Sequence, residues 1–163
     1  MSRLLVCVLG SQNSGKTHTW RTLFGRDVRT GTVPRELEIA PGQCVTVFLV
    51  SGSAEERRTT IEAIMGSATP DIVLCSVQYL AEARDTFQFF LDRDYDLVVH
   101  WLNPGYRDIG YQPDLFGLVE WLRHRRSLIG IRDARGAATA RVNELRYIIH
   151  GWAAQHGLVH PCP

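Results

Sequence analysis

Short apolar runs alternate with amphipathic stretches along most of this chain. Apolar runs of strand length occur at residues 4–9, 44–50, 72–77, 97–102 and 127–131, with a shorter candidate at 36–39. Predominantly apolar runs of this length, of which residues 4–9 are apolar throughout, are typical of strands that are buried in a parallel sheet. Pro41, Gly42 and Gln43 form a turn signal between two of these candidates, which predicts an antiparallel hairpin.

Helical periodicity occupies the intervening segments. The predicted helices cover residues 18–24, 54–65, 80–91, 115–124 and 137–155. Ser53 is a candidate N-cap for the second, and Gly66 would end it. The last helix would bury one face, formed by Val142, Leu145, Ile148, Ile149 and Trp152. Regular alternation of strands and helices predicts an α/β fold: a mostly parallel sheet with helices on both faces and ligands at the strands' carboxyl ends.

Composition limits the class of protein. The 163 residues, of which 45% are hydrophobic, suit one domain spanning residues 1–163. A net charge of +1 gives no indication of nucleic-acid binding, and no apolar stretch approaches the length of a membrane span. The four cysteines lack metal-site spacing and are expected to be idle thiols in a reducing compartment. We therefore expect a cytoplasmic protein.

Lys16 is the only lysine in a chain with 18 lysine and arginine residues. A planar guanidinium cannot replace a compact ammonium that binds a phosphate. A single lysine among arginines therefore indicates a specific site at Lys16. Lys16 belongs to the segment Gly10-Ser11-Gln12-Asn13-Ser14-Gly15-Lys16-Thr17. This segment fits G-x-x-x-x-G-K-T and lies between a predicted strand and a predicted helix, where a helix N-terminus faces an anion.

On this motif the chain resembles the P-loop NTPase superfamily. The resemblance implies a three-layer P-loop NTPase fold that binds a nucleoside triphosphate, ATP or GTP, with Mg²⁺. The eight residues of the motif, together with His18, would hold the phosphates. Lys16 would stabilise charge on the transferred phosphoryl group, and the Thr17 hydroxyl would bind the metal.

The order of elements is also similar to that of a small Ras-type GTPase core. In such proteins a first switch would correspond to Arg29-Thr30-Gly31-Thr32. The resemblance implies that Thr32 is a second metal ligand and that Arg29 neutralises charge in the transition state. A solvated loop arginine is the alternative interpretation of Arg29.

Ala54-Glu55-Glu56-Arg57 resembles the second switch of the same proteins. Glu55 and Glu56 are therefore candidates for polarising the attacking water. Acidic residues are also favoured at the start of a helix by its dipole alone, which is the alternative explanation.

Two motifs of the GTPase family are absent. Val50-Ser51-Gly52-Ser53 stands in place of D-x-x-G, so no acidic residue ends the third strand to anchor Mg²⁺ through water. Asn103-Pro104-Gly105-Tyr106 stands in place of N-K-x-D. It retains an asparagine for a contact with the nucleotide but not the aspartate that selects guanine, so ATP is favoured over GTP.

Further polar and aromatic residues end the predicted strands. Trp101, Asn103 and Tyr106 would lie near the base, with Trp101 either stacking on adenine or belonging to the core. Gln78 would orient a water or cap a turn. Asp133 ends the last strand, where it is the remaining candidate for a guanine acceptor.

These observations predict a slow Mg²⁺-dependent ATPase that acts with a protein partner or as a homo-oligomer. The alternative is a switch that binds GTP or does not hydrolyse its nucleotide, similar to a pseudo-GTPase. A small-molecule kinase ranks third, because the chain has no arginine-rich lid insertion.

Overall fold

The computed structural model describes residues 2–31, 33–104 and 114–163. The strands are β1 (Arg3–Gly10), β2 (Arg35–Ala40), β3 (Gln43–Val50), β4 (Ile72–Gln78), β5 (Tyr95–Leu102), β6 (Ser127–Arg132) and β7 (His160–Pro161). The helices are α1 (Lys16–Phe24), α2 (Ile61–Met65), α3 (Ala83–Leu91), α4 (Leu118–Arg123) and α5 (Thr139–Gln155).

The strands form one mixed sheet in the order β2-β3-β4-β1-β5-β6, with the short β7 paired to the start of β3. All pairs between β3 and β6 along this order are parallel. The β2–β3 pair is the predicted antiparallel hairpin. Because β1 lies between β4 and β5, the loop that follows β1 emerges near the middle of the carboxyl edge.

Two hydrophobic clusters cover the two faces of this sheet. Alternate residues of β1 contribute to both, with Leu5 and Cys7 on one face and Leu4 and Val6 on the other. The first face packs against α2, α3 and α4, and the second against α1 and α5. The prediction of a mostly parallel α/β sheet with helices on both faces is therefore confirmed.

One predicted helix is much shorter than expected. Residues 54–59 form turns, and only Ile61–Met65 is helical. The Ser53 hydroxyl does accept a hydrogen bond from the Glu56 amide at 3.2 Å, as an N-cap would. However, Arg58 has a left-handed φ of 52°, which ends the turn, and the Thr60 hydroxyl then caps α2.

The prediction of four idle thiols is wrong for two of them. Cys44 and Cys162 form a disulfide across a sequence separation of 118 residues. Cys7 and Cys75 are free and buried, and burial raises the pKa of both thiols. Because disulfides are rare in reducing compartments, the cysteines no longer support the expectation of such a compartment. Among the described residues, none of the helices has the length and apolar character needed to cross a membrane.

Candidate functional site

The loop between β1 and α1, which we call the glycine loop (Gly10–Thr17), has a backbone that depends on its two glycines. A Cβ on Gly10 would collide with the Ser14 hydroxyl, which is folded beneath it. Gly15 is the N-cap of α1 at a φ of 102°, where L side chains are rarely found. The loop amides and the N-terminus of α1 therefore lie together at the carboxyl end of β1, an arrangement that suits an anion.

The Lys16 side chain folds back over this loop and is only 5% exposed. Its Nζ donates to the carbonyl oxygens of Gly10 at 3.1 Å and Ser11 at 2.8 Å. The third contact of Nζ is an ion pair with Glu56 Oε1 at 3.1 Å. The ammonium is thus held at the mouth of the loop with a carboxylate as its counter-ion.

Glu55 and Glu56 are adjacent in sequence but have different surroundings. Glu55 Oε1 accepts a hydrogen bond from the Thr86 hydroxyl at 2.6 Å, and its Oε2 accepts one from the backbone amide of Gln78 at 3.4 Å. These contacts tie Glu55 to α3 and to the end of β4. Only Glu56 joins Lys16 in the cavity of about 460 Å³ that the glycine loop lines.

A second cavity, of about 480 Å³, lies between the start of α1 and the end of β3. Its lining includes Thr17, Arg29, Thr30, Ser51 and Gly52. The Thr30 hydroxyl accepts hydrogen bonds from the amides of Ser51 at 2.9 Å and Gly52 at 3.3 Å. The first predicted switch therefore contacts the end of β3 through Thr30.

The other members of the predicted metal and catalytic set are less well placed. Arg29 is exposed, and its carbonyl accepts a hydrogen bond from the Arg35 guanidinium. Thr32 lies outside the described residues. Within the described ranges, no group of three or more histidine, cysteine, aspartate or glutamate side chains forms a metal site. Of the two predicted metal ligands only Thr17 is described, and it lines both the second cavity and the Lys16 cavity.

Asn103 connects the glycine loop to the loop that follows β6. Its Nδ2 donates to the Ser14 carbonyl at 3.3 Å, and its Oδ1 accepts from the Ala134 amide at 2.7 Å. These three residues, with His18 and Arg135, contribute to a cavity of about 450 Å³. The cavity adjoins the Lys16 cavity, because residues 12–15 and His18 line both.

Trp101, one of the two aromatic residues expected near this cavity, does not line it. Trp101 is 3% exposed and stacks on Tyr79 within the core, with the ring centroids 4.7 Å apart. It therefore belongs to the core, and the idea that it stacks on adenine is wrong. Tyr106 lies outside the described residues.

Asp133 is engaged by a neighbouring arginine. Its Oδ1 accepts from the Arg135 amide at 2.9 Å, and both carboxylate oxygens accept from the Arg135 guanidinium at 3.0 Å. The hydrogen bonds from this side chain and backbone lower the pKa of Asp133 to about 2. The carboxylate is thus ionised at neutral pH but already paired.

A buried polar layer beneath the glycine loop was missed by the sequence analysis. It contains Thr19, His100 and Arg141, each 4% exposed or less. Arg141 lies four residues before Leu145 on α5, so helical spacing alone indicated that it faces inward. Desolvation lowers the pKa of His100 to about 4, so the ring is neutral at pH 7.

The comparisons with known proteins do not assign a family. No protein-family model matches the chain, and no curated protein is significantly similar to it.

Proposed function

We propose that the protein binds the polyphosphate of a nucleoside triphosphate with Mg²⁺ at the glycine loop, as a P-loop NTPase does, and hydrolyses it slowly. The observation that carries the proposal is the position of Lys16. The only lysine of the chain is buried at the N-terminus of α1, with its ammonium over the loop. A point charge beside loop amides and a helix N-terminus is suited to bind phosphate oxygens.

Two adjoining cavities support a nucleotide rather than a free phosphate. The cavity around Lys16 has about 460 Å³ for the phosphates, and the cavity around Asn103 has about 450 Å³ for the nucleoside. With the phosphates in the Lys16 cavity, a bound metal ion would lie on the side of Thr17 and Thr30, which line the cavity at the end of β3. Bound Mg²⁺ would supply charge neutralisation at the phosphate oxygens.

The catalytic role of the protein would consist mainly of positioning and charge stabilisation. Lys16 and the loop amides would hold the oxygens of the transferred phosphoryl group while a water attacks in line. Glu56, which pairs with Lys16, would be the carboxylate that reaches that group, whereas Glu55 is held by Thr86. Arg29 would have to swing in from the surface to contribute. Slow turnover is the activity that this arrangement supports best, and ATP is favoured over GTP because the chain lacks the aspartate of N-K-x-D.

A nucleotide-dependent switch is the second candidate, and one contact favours it. The Lys16–Glu56 ion pair connects residues 53–59 to the glycine loop. A phosphate that replaces Glu56 at Lys16 would release this segment and alter the surface that it presents to a protein partner or to a second copy of the chain. Such a protein would need binding but no hydrolysis.

Titration calorimetry of Lys16 variants tests the site. We expect Lys16→Ala to weaken Mg²⁺–ATP and Mg²⁺–GTP binding by at least about a hundredfold, since charge-assisted phosphate contacts are the strong ones. Lys16→Arg should also bind poorly, because a guanidinium fork does not fit the loop. Arg26→Ala, which removes an exposed cation outside the loop, is the matched control. Unchanged affinity in Lys16→Ala would exclude this site.

A further inference from the structure

Arg141 is a buried cation that forms an ion pair with no carboxylate of the described residues. The residue is 4% exposed, and its Nε and Nη2 have no hydrogen-bond partner among the described residues. Burial lowers the pKa of the guanidinium, but an arginine stays charged at neutral pH. Glu144, one turn further along α5, is engaged instead by Arg132 Nε at 2.8 Å.

The guanidinium lies directly behind the glycine loop. Its Nη1 donates to the Thr19 hydroxyl, and that hydroxyl donates to the Gly15 carbonyl at 2.9 Å. The Thr19 amide donates to the same carbonyl at 3.1 Å. A Cβ on Gly15 would lie 3.6 Å from Arg141 Nη2, so the charge and the N-cap of α1 are nearly in contact.

This position is electrostatically unfavourable for the protein alone. The N-terminus of a helix carries a partial positive charge, and among the described residues the charge of Lys16 next to it is offset only by its ion pair with Glu56. A third positive charge, buried and unpaired, destabilises the fold unless an anion is close. A polyphosphate on the glycine loop would be such an anion, and the attraction between a buried charge and this anion would be only weakly screened by salt.

We propose that Arg141 is a positioning residue for the polyphosphate, which holds Gly15 through Thr19 and places a buried positive charge behind the glycine loop. This inference rests on the proposed function, because it assumes that a phosphate ligand binds there. The attraction grows with the charge of the ligand. Arg141 therefore makes the site select for triphosphates over monophosphates that share the same base.

The test compares ligands of increasing charge on matched variants. The affinities of ATP, ADP and AMP, each with Mg²⁺, are measured by calorimetry for wild type, Arg141→Met and Arg141→Lys. We expect Arg141→Met to weaken the binding of ATP about tenfold, of ADP about fivefold and of AMP less than about twofold. These values follow from the Coulomb energy of a partly screened charge pair. Arg141→Lys keeps the charge and should recover most of the ATP affinity.

Arg146→Met is the control, because Arg146 is on the same helix and donates to the Leu23 carbonyl rather than towards the loop. Thermal unfolding without ligand gives a second readout. Arg141→Met should be at least as stable as wild type, since it removes an uncompensated buried charge. If Arg141→Met does not fold, Arg141→Lys and Arg141→Gln are compared with wild type instead.

The outcomes separate the two proposals. An equal loss of affinity for all three ligands would show a merely structural role and overturn the inference about Arg141. Loss of ATP affinity in Arg141→Lys as large as in Arg141→Met would overturn it as well. If the wild-type protein binds none of the ligands, the proposed function itself is wrong.

Discussion

Lys16 Nζ lies 3.1 Å from Glu56 Oε1, and this ion pair joins the glycine loop to the turn that precedes α2. The lysine is buried, while the Glu56 side chain is 32% exposed. A bound phosphate would compete with Glu56 for the same ammonium. The pair therefore couples the occupancy of the loop to the position of residues 53–59.

Glu56→Gln should tighten Mg²⁺–ATP binding roughly threefold to fivefold, because a partly exposed ion pair of about 1 kcal/mol no longer competes with the phosphate. The same variant should hydrolyse ATP more slowly if Glu56 polarises the attacking water. Calorimetry and phosphate release measure the two effects separately. Glu62→Gln, at the start of α2, is the control. Weaker ATP binding in Glu56→Gln would contradict the competition.

Discrimination between bases should be weak. Both functional groups of Asn103 are already bonded to the protein, and Asp133 is paired with Arg135. Steep selection requires hydrogen bonds that a wrong base leaves unmade. We expect ATP to bind at least as well as GTP in parallel titrations. A preference for GTP above about a hundredfold, which corresponds to roughly 2.7 kcal/mol, would show that Asp133 leaves Arg135 to bind guanine.

The purified protein should hydrolyse ATP at no more than about one turnover per minute, a limit scaled from the intrinsic rates of GTPases that possess a complete site. The reason is that Glu55 is held by Thr86 and Arg29 is exposed. Steady-state phosphate release provides the measurement, with Lys16→Ala as the blank. Turnover of several per second would reveal a catalytic group among Glu55, Glu56 and Gln78.

The disulfide between Cys44 and Cys162 should contribute substantially to stability. It closes a loop with a sequence separation of 118 residues and attaches the C-terminal residues to β3. Closing such a long loop restricts the unfolded chain, which stabilises a protein by about 3–5 kcal/mol. Cys162→Ser, or reduction of the wild type, should therefore lower the unfolding temperature. Cys75→Ser in non-reducing buffer controls for removing a thiol, and a wild type insensitive to reductant would argue against the bond.

Acid should destabilise the protein through His100. Its pKa is about 4 in the folded state and 6.5 in the unfolded state, so the unfolded chain binds more protons between these values. The stability that the neutral ring provides is complete above pH 6.5 and is lost as the pH falls towards 4. We expect the unfolding temperature of His100→Gln, followed by circular dichroism, to change less with pH in this window than that of the wild type. His150→Gln should retain the wild-type slope, and an unchanged slope in His100→Gln would refute the assignment.

Local sequence patterns were sufficient to predict the sheet and most helices. Residues 4–9 are apolar throughout because β1 is covered on both faces, and Gly25 follows α1 because its left-handed φ of 70° suits glycine. The glycine loop could also be recognised from the sequence, because the residues of its G-x-x-x-x-G-K-T pattern are neighbours along the chain. Residues 54–59 are the exception. Their helical pattern is interrupted at Arg58, which has a left-handed φ of 52°, and Glu55 in this turn is bonded to Thr86, which is distant in sequence.

Only the tertiary structure determined which polar groups meet at the candidate site. Lys16 pairs with Glu56, Asn103 reaches Ser14 across 89 positions, and Arg141 reaches Thr19 across 122. Single polar contacts of this kind carry no periodic signal, so a sequence identifies the residue types but not their partners. The pairing of Cys44 with Cys162 has the same origin, because β7 brings the C-terminal residues beside β3. Folding decides the contacts at the site, because it brings the segments that follow β1, β3 and β5 to one edge of the sheet and packs α1 beside α5 on one face.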